Sequence, residues 1–344
     1  VQSVKPQAIL ARILEQRETP YEEMVELMRA IMSGNVSPAM TAALVMGLRM
    51  KRESIGEITA AAQVMRELAL HIEVADSTNL VDTCGTGGDG CNTFNISTAS
   101  AFVAAAAGAQ VAKHGGRSVS SKAGSADVLE AIGINLDQTP DQIARSITEV
   151  GIGFMFAPNF HHAMKHATPV RRELGVRTLF NILGPLTNPA GARNQLLGVF
   201  SEDLTGLLAQ ALHRLGSRHA MIVHGSDGLD EITISGPTRI AELKAGETRE
   251  YTVQPEDFGL ERTSIEALRV SGTEEARVML LSVLDNQPGP ARDIVLLNAG
   301  AAIYVAGKAD SWTQGVEIAR DTLASGSARE KMQALIEFSN QINH

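Results

Sequence analysis

At about Leu80 the sequence changes its grammar, and that change restricts the folds open to it. Residues 1–70 carry helix signals only. Thr19-Pro20-Tyr21-Glu22 reads as a capping box with proline at the first helical position, and Gly34 as the stop of that helix. Ser37-Pro38 starts another helix through Arg52, and Ser54 with Glu57 makes a second capping box ahead of residues 55–70. From residue 79 on, short apolar runs at 79–82, 109–112, 152–156, 195–200 and 220–224 alternate with helical segments. Some of those helices have legible starts, such as Thr139-Pro140-Asp141-Gln142 and Ser201-Glu202-Asp203. Runs apolar throughout suit strands buried on both faces, hence parallel. Three β-rich runs within 232–253, around Ala245-Gly246-Glu247, predict an antiparallel excursion, and the chain is helical again from about Thr273. The fold expected is α/β, with a small all-helical N-terminal domain over 1–75 and a larger α/β domain with a mostly parallel central sheet and C-terminal helices.

The stretch 81–121 is suited to holding a phosphorylated ligand. Gly85, Gly87, Gly88 and Gly90 let the backbone turn tightly and bring its N–H groups close to an anion. Asn95, Ser97 and Thr98 are good N-cap residues for an apolar helix over 99–107, whose positive end favours a second anion. Lys113 and Arg117 add cations in a chain of net charge −9, which argues for a small anionic ligand in a local basic pocket and against nonspecific nucleic-acid binding. Gly85-Thr86-Gly87-Gly88-Asp89-Gly90 also satisfies the dinucleotide pattern G-x-G-x-x-G. A dinucleotide site, however, wants an acid at the end of the next strand, where this chain has Lys113-His114. An NADP-dependent oxidoreductase could use a cation there and stays open as an alternative. Asp89 inside the loop would repel a pyrophosphate unless a metal bridges them, so the loop favours a magnesium-complexed phosphate ligand. The loop lacks the Gly-Lys-Ser/Thr ending of a Walker motif.

Cys84 and Cys91 match no zinc spacing and no disulfide framework, and read as reduced thiols. The N-terminal VQSVKPQAIL carries no basic-then-apolar signal pattern, and the most apolar run, 101–112, falls short of the ~20 residues that span a bilayer. The expectation is a soluble, cytoplasmic protein without membrane contact. His162 and His166 stand one helical turn apart without the acidic partner of a zinc-protease helix, and read, with His161, as surface or domain-interface residues. Met24, Met28, Met32, Met40, Met46 and Met50 fall at helix-face spacing and read as core or dimer contacts.

Several motifs together resemble the anthranilate phosphoribosyltransferase family. They are Asp82-x-x-Gly85-Thr86-Gly87-Gly88-Asp89, Asn95-Ile96-Ser97-Thr98, Lys113-His114-Gly115, Arg117-Ser118-Val119-Ser120-Ser121, Gly124-Ser125-Ala126-Asp127, PVRRELG at 169–175, FNILGPLTNP at 180–189 and Asp230-Glu231. Pyrimidine nucleoside phosphorylases share the architecture and a similar glycine loop, but 169–175 and 180–189 do not resemble theirs. The resemblance implies transfer of phosphoribose from phosphoribosyl pyrophosphate to the amine of anthranilate, a step of tryptophan biosynthesis. It implies that a segment at about 168–190 returns to the helical domain, leaving 76–167 and 191–344 as the α/β domain, and that the chain is a homodimer joined through the helical domains.

The resemblance also assigns residues. Donor contacts fall to Gly85, Gly87, Gly88, Asp89, Thr93, Asn95, Ile96, Ser97, Thr98, Lys113, His114, Gly115, Gly116, Arg117, Ser118, Val119, Ser120, Ser121 and Ser125. Anthranilate falls to Gly85, His114, Gly116 and Arg171, the last gripping the carboxylate. Mg²⁺, two ions per active site, falls to Ser97, Asp230 and Glu231. Arg172 is expected to be structural, paired with an acidic side chain, and no general base is assigned, His114 being the candidate. The chain departs from the pattern at Gly116, where the family has an asparagine that contacts anthranilate. A weakened acceptor site with donor binding retained is the expected consequence, and a noncatalytic relative that binds phosphoribosyl ligands or nucleic acid is the further alternative.

Overall fold

The computed structural model describes residues 5–117 and 122–341. Four helices come first: α1 (Pro6–Leu14), α2 (Tyr21–Met32), α3 (Pro38–Lys51) and α4 (Ile55–Leu68). The predicted capping box of α4 forms, with Ser54 Oγ accepting from the Glu57 amide at 3.2 Å and the Ser54 amide donating to Glu57 at 2.9 Å. Glu57 is fully buried, and its carboxylate also takes the Lys51 ammonium at 2.8 Å and the Thr19 amide at 2.9 Å, so this one cap ties α3 and the α1–α2 connection to α4. The box predicted at Thr19 does not form. Pro20 is the N-cap of α2, without a side-chain bond, because the Thr19 backbone is drawn to Glu57 instead.

Alternation follows: β1 (Leu80–Gly85), α5 (Ile96–Ala106), β2 (Gln110–Gly115), α6 (Ser125–Ala131), α7 (Pro140–Glu149), β3 (Ile152–Phe156), α8 (Ala157–Phe160), α9 (Thr168–Leu174), α10 (Leu179–Leu183), β4 (Asn194–Gly198), α11 (Leu204–Arg214), β5 (His219–Gly225), β6 (Thr238–Lys244) and β7 (Glu247–Val253). The chain closes with α12 (Thr273–Leu284), α13 (Pro290–Val305), α14 (Trp312–Ala324) and α15 (Ser327–Gln341). The sheet runs in the order β3-β2-β1-β4-β5-β6-β7, parallel through β5 and antiparallel from β5 to β7.

Two of the strands differ from their sequence expectations for the same reason. β1 and β2 extend three residues past 82 and 112, because pairing with the other neighbouring strand carries on through polar residues: Thr83 pairs with Leu196 of β4, and Lys113 and His114 pair with Phe154 and Met155 of β3. Of the three runs within 232–253, only two are strands. Residues 232–236 form a turn instead, in which Asp227 accepts from the Thr233 and Ser235 hydroxyls at 2.6 and 2.5 Å. α11 starts at Leu204 after Asp203, with no side-chain cap, rather than at Ser201.

One face of the sheet packs on α5 and α13, with α12, α14 and α15 packed against those helices. The other carries α11, and its apolar cluster runs on without a break through Phe180, Leu183 and Leu186 into Ile58, Leu44 and Met28 of the N-terminal helices. α9 packs on α3, and α10 on α3 and α4. Arg66 of α4 donates to the carbonyls of Leu186 at 2.6 Å and Leu215 at 3.0 Å. Met24, Met28 and Met32 are core, Met40 packs against it, and Met50 is 76% exposed.

Candidate active site

The strand order reverses at β1, whose two neighbours are β2 and β4, and a crevice opens beyond the C-terminal ends of strands at such a switch point. Gly85 ends β1 and pairs with Gly198, the end of β4. A Cβ at Gly198 would overlap the Asp230 carbonyl, and one at Gly85 would press on the Asp230 carboxylate. These two glycines therefore let the loop after β5 come down onto the strand ends. Beyond them the loop turns with positive φ at Gly87 (66°) and Gly88 (76°), which residues with a Cβ rarely adopt. The Thr86 amide bonds the Gly198 carbonyl at 2.9 Å, the Phe200 amide bonds Thr86 Oγ1 at 3.1 Å, and the Gly87 amide donates to Asp230 Oδ2 at 2.7 Å. The glycine loop thus holds a carboxylate in the position where it would hold a phosphate oxygen.

The floor of the cleft is acidic. Burial, with Asp89 and Glu231 beside it, pushes Asp230 well above the usual carboxylate range. Burial pushes Glu231 up to about 7, against the pull of Lys113 and of hydrogen bonds from Ser97. Lys113 is itself buried, its ammonium donating to the Thr83 carbonyl and, at 3.1 Å, to Ser97 Oγ; burial lowers its pKa while Asp82 and the cleft carboxylates resist. Among the described residues no three His, Cys, Asp or Glu side chains converge as a closed metal cage. Asp230, Glu231 and the Ser97 hydroxyl are hard oxygen donors that crowd negative charge, and a few such donors suit Mg²⁺ arriving with phosphate oxygens and water. The residues fit that ion.

Of the other residues expected at the donor, Thr93, Asn95, Ile96, Gly115, Gly116, Arg117 and Ser125 line the same cleft, whose volume is about 810 Å³, while Thr98 is buried behind it. Thr93 is pinned by a bridge to Arg269, and Ile96 is core, offering only its backbone. Asn95 is the N-cap of α5, but its amide donates to the Ala123 carbonyl at 3.1 Å, leaving Oδ1, like Thr98 Oγ1, buried with no partner among the described residues. Gly115 leaves room for Ser125, whose hydroxyl bonds the Gly116 carbonyl at 3.4 Å. A Cβ at Gly116 would meet none of the described residues within 4 Å. Arg117 is paired with Asp127 at 3.0 Å and Glu130 at 2.5 Å, so its charge is largely committed to α6. Ser118, Val119, Ser120 and Ser121 lie outside the described residues.

On the opposite wall stands Arg171 of α9, its guanidinium 6.0 Å from the Phe180 ring centre. Burial lowers its pKa and no carboxylate offsets this, so the wall presents a cation without a counter-ion among the described residues. Arg172 also lines the cleft, but it is exposed and pairs with no acidic side chain among the described residues. Between the walls, His114 is held by its amide to Asp82 at 3.2 Å, with the Gly184 carbonyl beside its ring. Burial drives its pKa down to about 3, and that of His161, 5.0 Å away ring to ring, to about 4. His114 Nε2 is buried with no partner among the described residues. His161 therefore belongs to the site's surroundings, while His166 packs against Gly34 of the helical bundle.

Three features escaped sequence reasoning. Arg177, between α9 and α10, donates to the Gly88 carbonyl and stacks 4.3 Å over Phe200. Asp82 and Asn188, both buried, join at 2.8 Å and link β1 to the segment after α10. Asn298 clamps Ile232, next to Glu231, through its amide at 3.0 Å and its carbonyl at 2.9 Å. Only the last left a readable signal, as the one polar residue within the apolar run 294–305. Cys84 and Cys91 are free and buried, and burial raises both, Cys91 to about 12, so neither is a ready nucleophile.

A helical bundle joined to a switch-point α/β domain, with a glycine loop facing carboxylates and a buried cation, defines a transferase of phosphorylated sugars. Residues 7–69 match the helical bundle domain of a glycosyl transferase family and residues 77–329 its a/b domain. The chain is 90% identical to the anthranilate phosphoribosyltransferase of Nitrosomonas eutropha, over 99% of this chain and all of that one. To the enzyme of Nitrosomonas europaea it is 84% identical at the same coverage. The solved anthranilate phosphoribosyltransferase of Thermus thermophilus superposes with a TM-score of 0.91 at 45% identity, covering 96% of this chain and 99% of that one. The Saccharomyces cerevisiae enzyme in complex with phosphoribosyl pyrophosphate and Mg gives 0.88 at 25% identity, covering 98% of each. The chain belongs to the anthranilate phosphoribosyltransferase family.

Proposed function

We infer that this chain transfers phosphoribose from phosphoribosyl pyrophosphate to the amine of anthranilate, releasing pyrophosphate and giving N-(5-phosphoribosyl)anthranilate. The observation that carries the reading is one cleft with a phosphate-type loop and carboxylates on one wall and the unpaired Arg171 on the other. The oxidoreductase alternative is disfavoured by membership in the anthranilate phosphoribosyltransferase family and by the carboxylates of Asp89 and Asp230 beside the loop, which would repel a bare dinucleotide pyrophosphate.

The residue roles follow from chemistry. The C1–oxygen bond breaks with oxocarbenium character, so the chain must receive a polyanionic leaving group and position a weak nucleophile. The N–H groups of 87–89 receive the pyrophosphate, the Thr86 amide being committed to the Gly198 carbonyl, with Asn95 and Ser125 aligning the rest of the donor. Mg²⁺ supplies charge neutralisation of the pyrophosphate when bound, held by Asp230, Glu231 and Ser97; crowding of Asp89 with these carboxylates supports two ions per site. Arg171 grips the anthranilate carboxylate through parallel hydrogen bonds. His114 Nε2 accepts from the amine and aims its lone pair at C1. With a pKa near 3 this histidine orients rather than deprotonates, and the proton leaves to water or pyrophosphate after the new bond forms.

Packing of α9 and α10 on the bundle supports placing 168–190 with the helical domain of 1–75. A homodimer through the bundle is supported by exposed Leu14 and Met50 on the adjacent helices α1 and α3, with Ala39 and Ala43 on the same helical face as Met50. Two free thiols support a reducing, cytoplasmic setting; among the described residues no helix is long and apolar enough to cross a membrane. The test is anthranilate fluorescence on mixing enzyme, phosphoribosyl pyrophosphate and Mg²⁺. Metal-dependent loss is expected. Binding of the donor without loss of signal would mark a noncatalytic relative.

A further inference from the structure

We propose that Arg177 is a positioning residue that latches the glycine loop to the segment bearing Arg171, holding the loop in its donor-receiving shape. The inference rests on the transferase reading above and adds a residue to it. Three observations converge. The guanidinium donates to the Gly88 carbonyl, at the point where the loop has positive φ. Its Cζ lies 4.3 Å from the centre of the Phe200 ring, and the Phe200 amide bonds Thr86 of the same loop. Its anchoring side is firm: Gly175 closes α9 in the left-handed conformation, and the Thr178 amide donates to Asn181 at 2.9 Å to open α10, both helices being packed on the bundle.

Gly88 fits this role from the other side, since a Cβ there would stand 3.3 Å from Arg177 Nε. Among the described residues Arg177 is the one side chain that hydrogen-bonds the loop from the helical wall, while Asp230 bonds it from the loop after β5. The latch therefore joins the two walls at the mouth of the cleft. A planar fork that both stacks and donates is specific to arginine, and an ammonium does not replace it. The carbonyl bond ties the loop, and the ring aims the fork, so the two contacts act as one unit.

The test compares Arg177→Met, Arg177→Lys, Phe200→Leu and the Met/Leu double variant with the unaltered enzyme. The readouts are steady-state kinetics and hydrogen exchange at residues 86–89 in the ligand-free protein. Arg177→Met is expected to raise the KM for phosphoribosyl pyrophosphate about tenfold, the ratio that ~1.4 kcal/mol corresponds to. The KM for anthranilate should stay within about twofold, and Arg177→Lys should behave like Met. The double variant should be no worse than Arg177→Met, because coupled contacts are not additive. Loop amides should exchange faster in Arg177→Met. Restoration of the donor KM by lysine, multiplication of the two single effects, or unchanged exchange would each overturn the proposal. Failure of the unaltered enzyme to consume anthranilate would instead sink the transferase reading, and the exchange measurement would still decide the latch.

Discussion

Gly198→Ala isolates the close approach on which the site is built. Gly198 lies in regular strand backbone paired with Gly85, so alanine brings no backbone strain there, and its whole effect comes from one methyl group. That methyl would overlap the Asp230 carbonyl, with the carbonyl carbon at 2.4 Å and Cα at 3.3 Å of the new Cβ. An ordinary contact needs roughly 3.5 Å between such atoms, so the Asp230 backbone must retreat by well over about 1 Å. A misplacement of about 1 Å can cost ~10²-fold in rate. The expected loss in kcat/KM for phosphoribosyl pyrophosphate is therefore at least about 100-fold, or ~2.7 kcal/mol. Overpacking of this kind costs about 1–3 kcal/mol of stability. Gly272→Ala is the control, since Gly272 precedes α12 in extended backbone away from the cleft and a methyl there meets none of the described residues within 4 Å, and it should keep the donor KM and the unfolding temperature. Kinetics and thermal unfolding of both variants decide the matter. An alanine at 198 that leaves the donor KM and stability at the level of the control would refute the claim that these glycines seat Asp230.

Four further outcomes are expected. Arg171→Met should raise the anthranilate KM by about 10²-fold, from loss of charge-assisted hydrogen bonds of ~3 kcal/mol, with the donor KM unchanged in the same assay. Gly116→Asn should fold normally into open space and lower the anthranilate KM; no change would remove Gly116 as a cause of weak acceptor binding. Glu242 is buried, and although burial pushes its pKa up, hydrogen bonds from His219, Tyr251, Arg249 and Tyr304 outweigh this and hold it at about 2. A depressed carboxylate stabilises above its unfolded pKa near 4.5 and loses that contribution as pH falls through about 2. The stability gap between the enzyme and Glu242→Gln should therefore be about 3 kcal/mol at neutral pH and close between about pH 4.5 and 2, as followed by denaturant unfolding. Met50→Lys, placed on the exposed face of α3, should shift the sedimentation of the protein toward monomer without unfolding it; an unchanged mass would count against the α1–α3 interface.

The helical start and the parallel strands were legible because caps and apolar runs are local signals. Ser37, Ser54 and Thr139 cap their helices with their own neighbours, and β3 appears where its run of apolar residues stands. The signals failed where a distant group outcompeted the local one. Thr19 gave its amide to Glu57, and 232–236 bent around Asp227 although the run is β-rich. In the site, glycine spacing and the motifs at 95–97, 113–117 and 230–231 pointed to residues that line one cleft, while Thr98 of the same motif is buried behind it. Periodicity could not reveal Arg177 or the Asp82–Asn188 pair, since each acts across a separation of more than eighty residues. Nor could it show that Arg117 spends its charge on α6 while Arg171 keeps its own.

The central claim is that one wall of the cleft takes the leaving pyrophosphate and the other takes the anthranilate carboxylate. A crystal structure with Mg²⁺, pyrophosphate and anthranilate, which cannot react together, tests it directly. The account predicts pyrophosphate on the Gly87 amide, with Asp230 released from that amide toward the metal, and the anthranilate carboxylate on Arg171 with its amine facing His114 Nε2. Pyrophosphate seated elsewhere while Asp230 keeps the Gly87 amide, or a carboxylate held by Arg172 in place of Arg171, would contradict it.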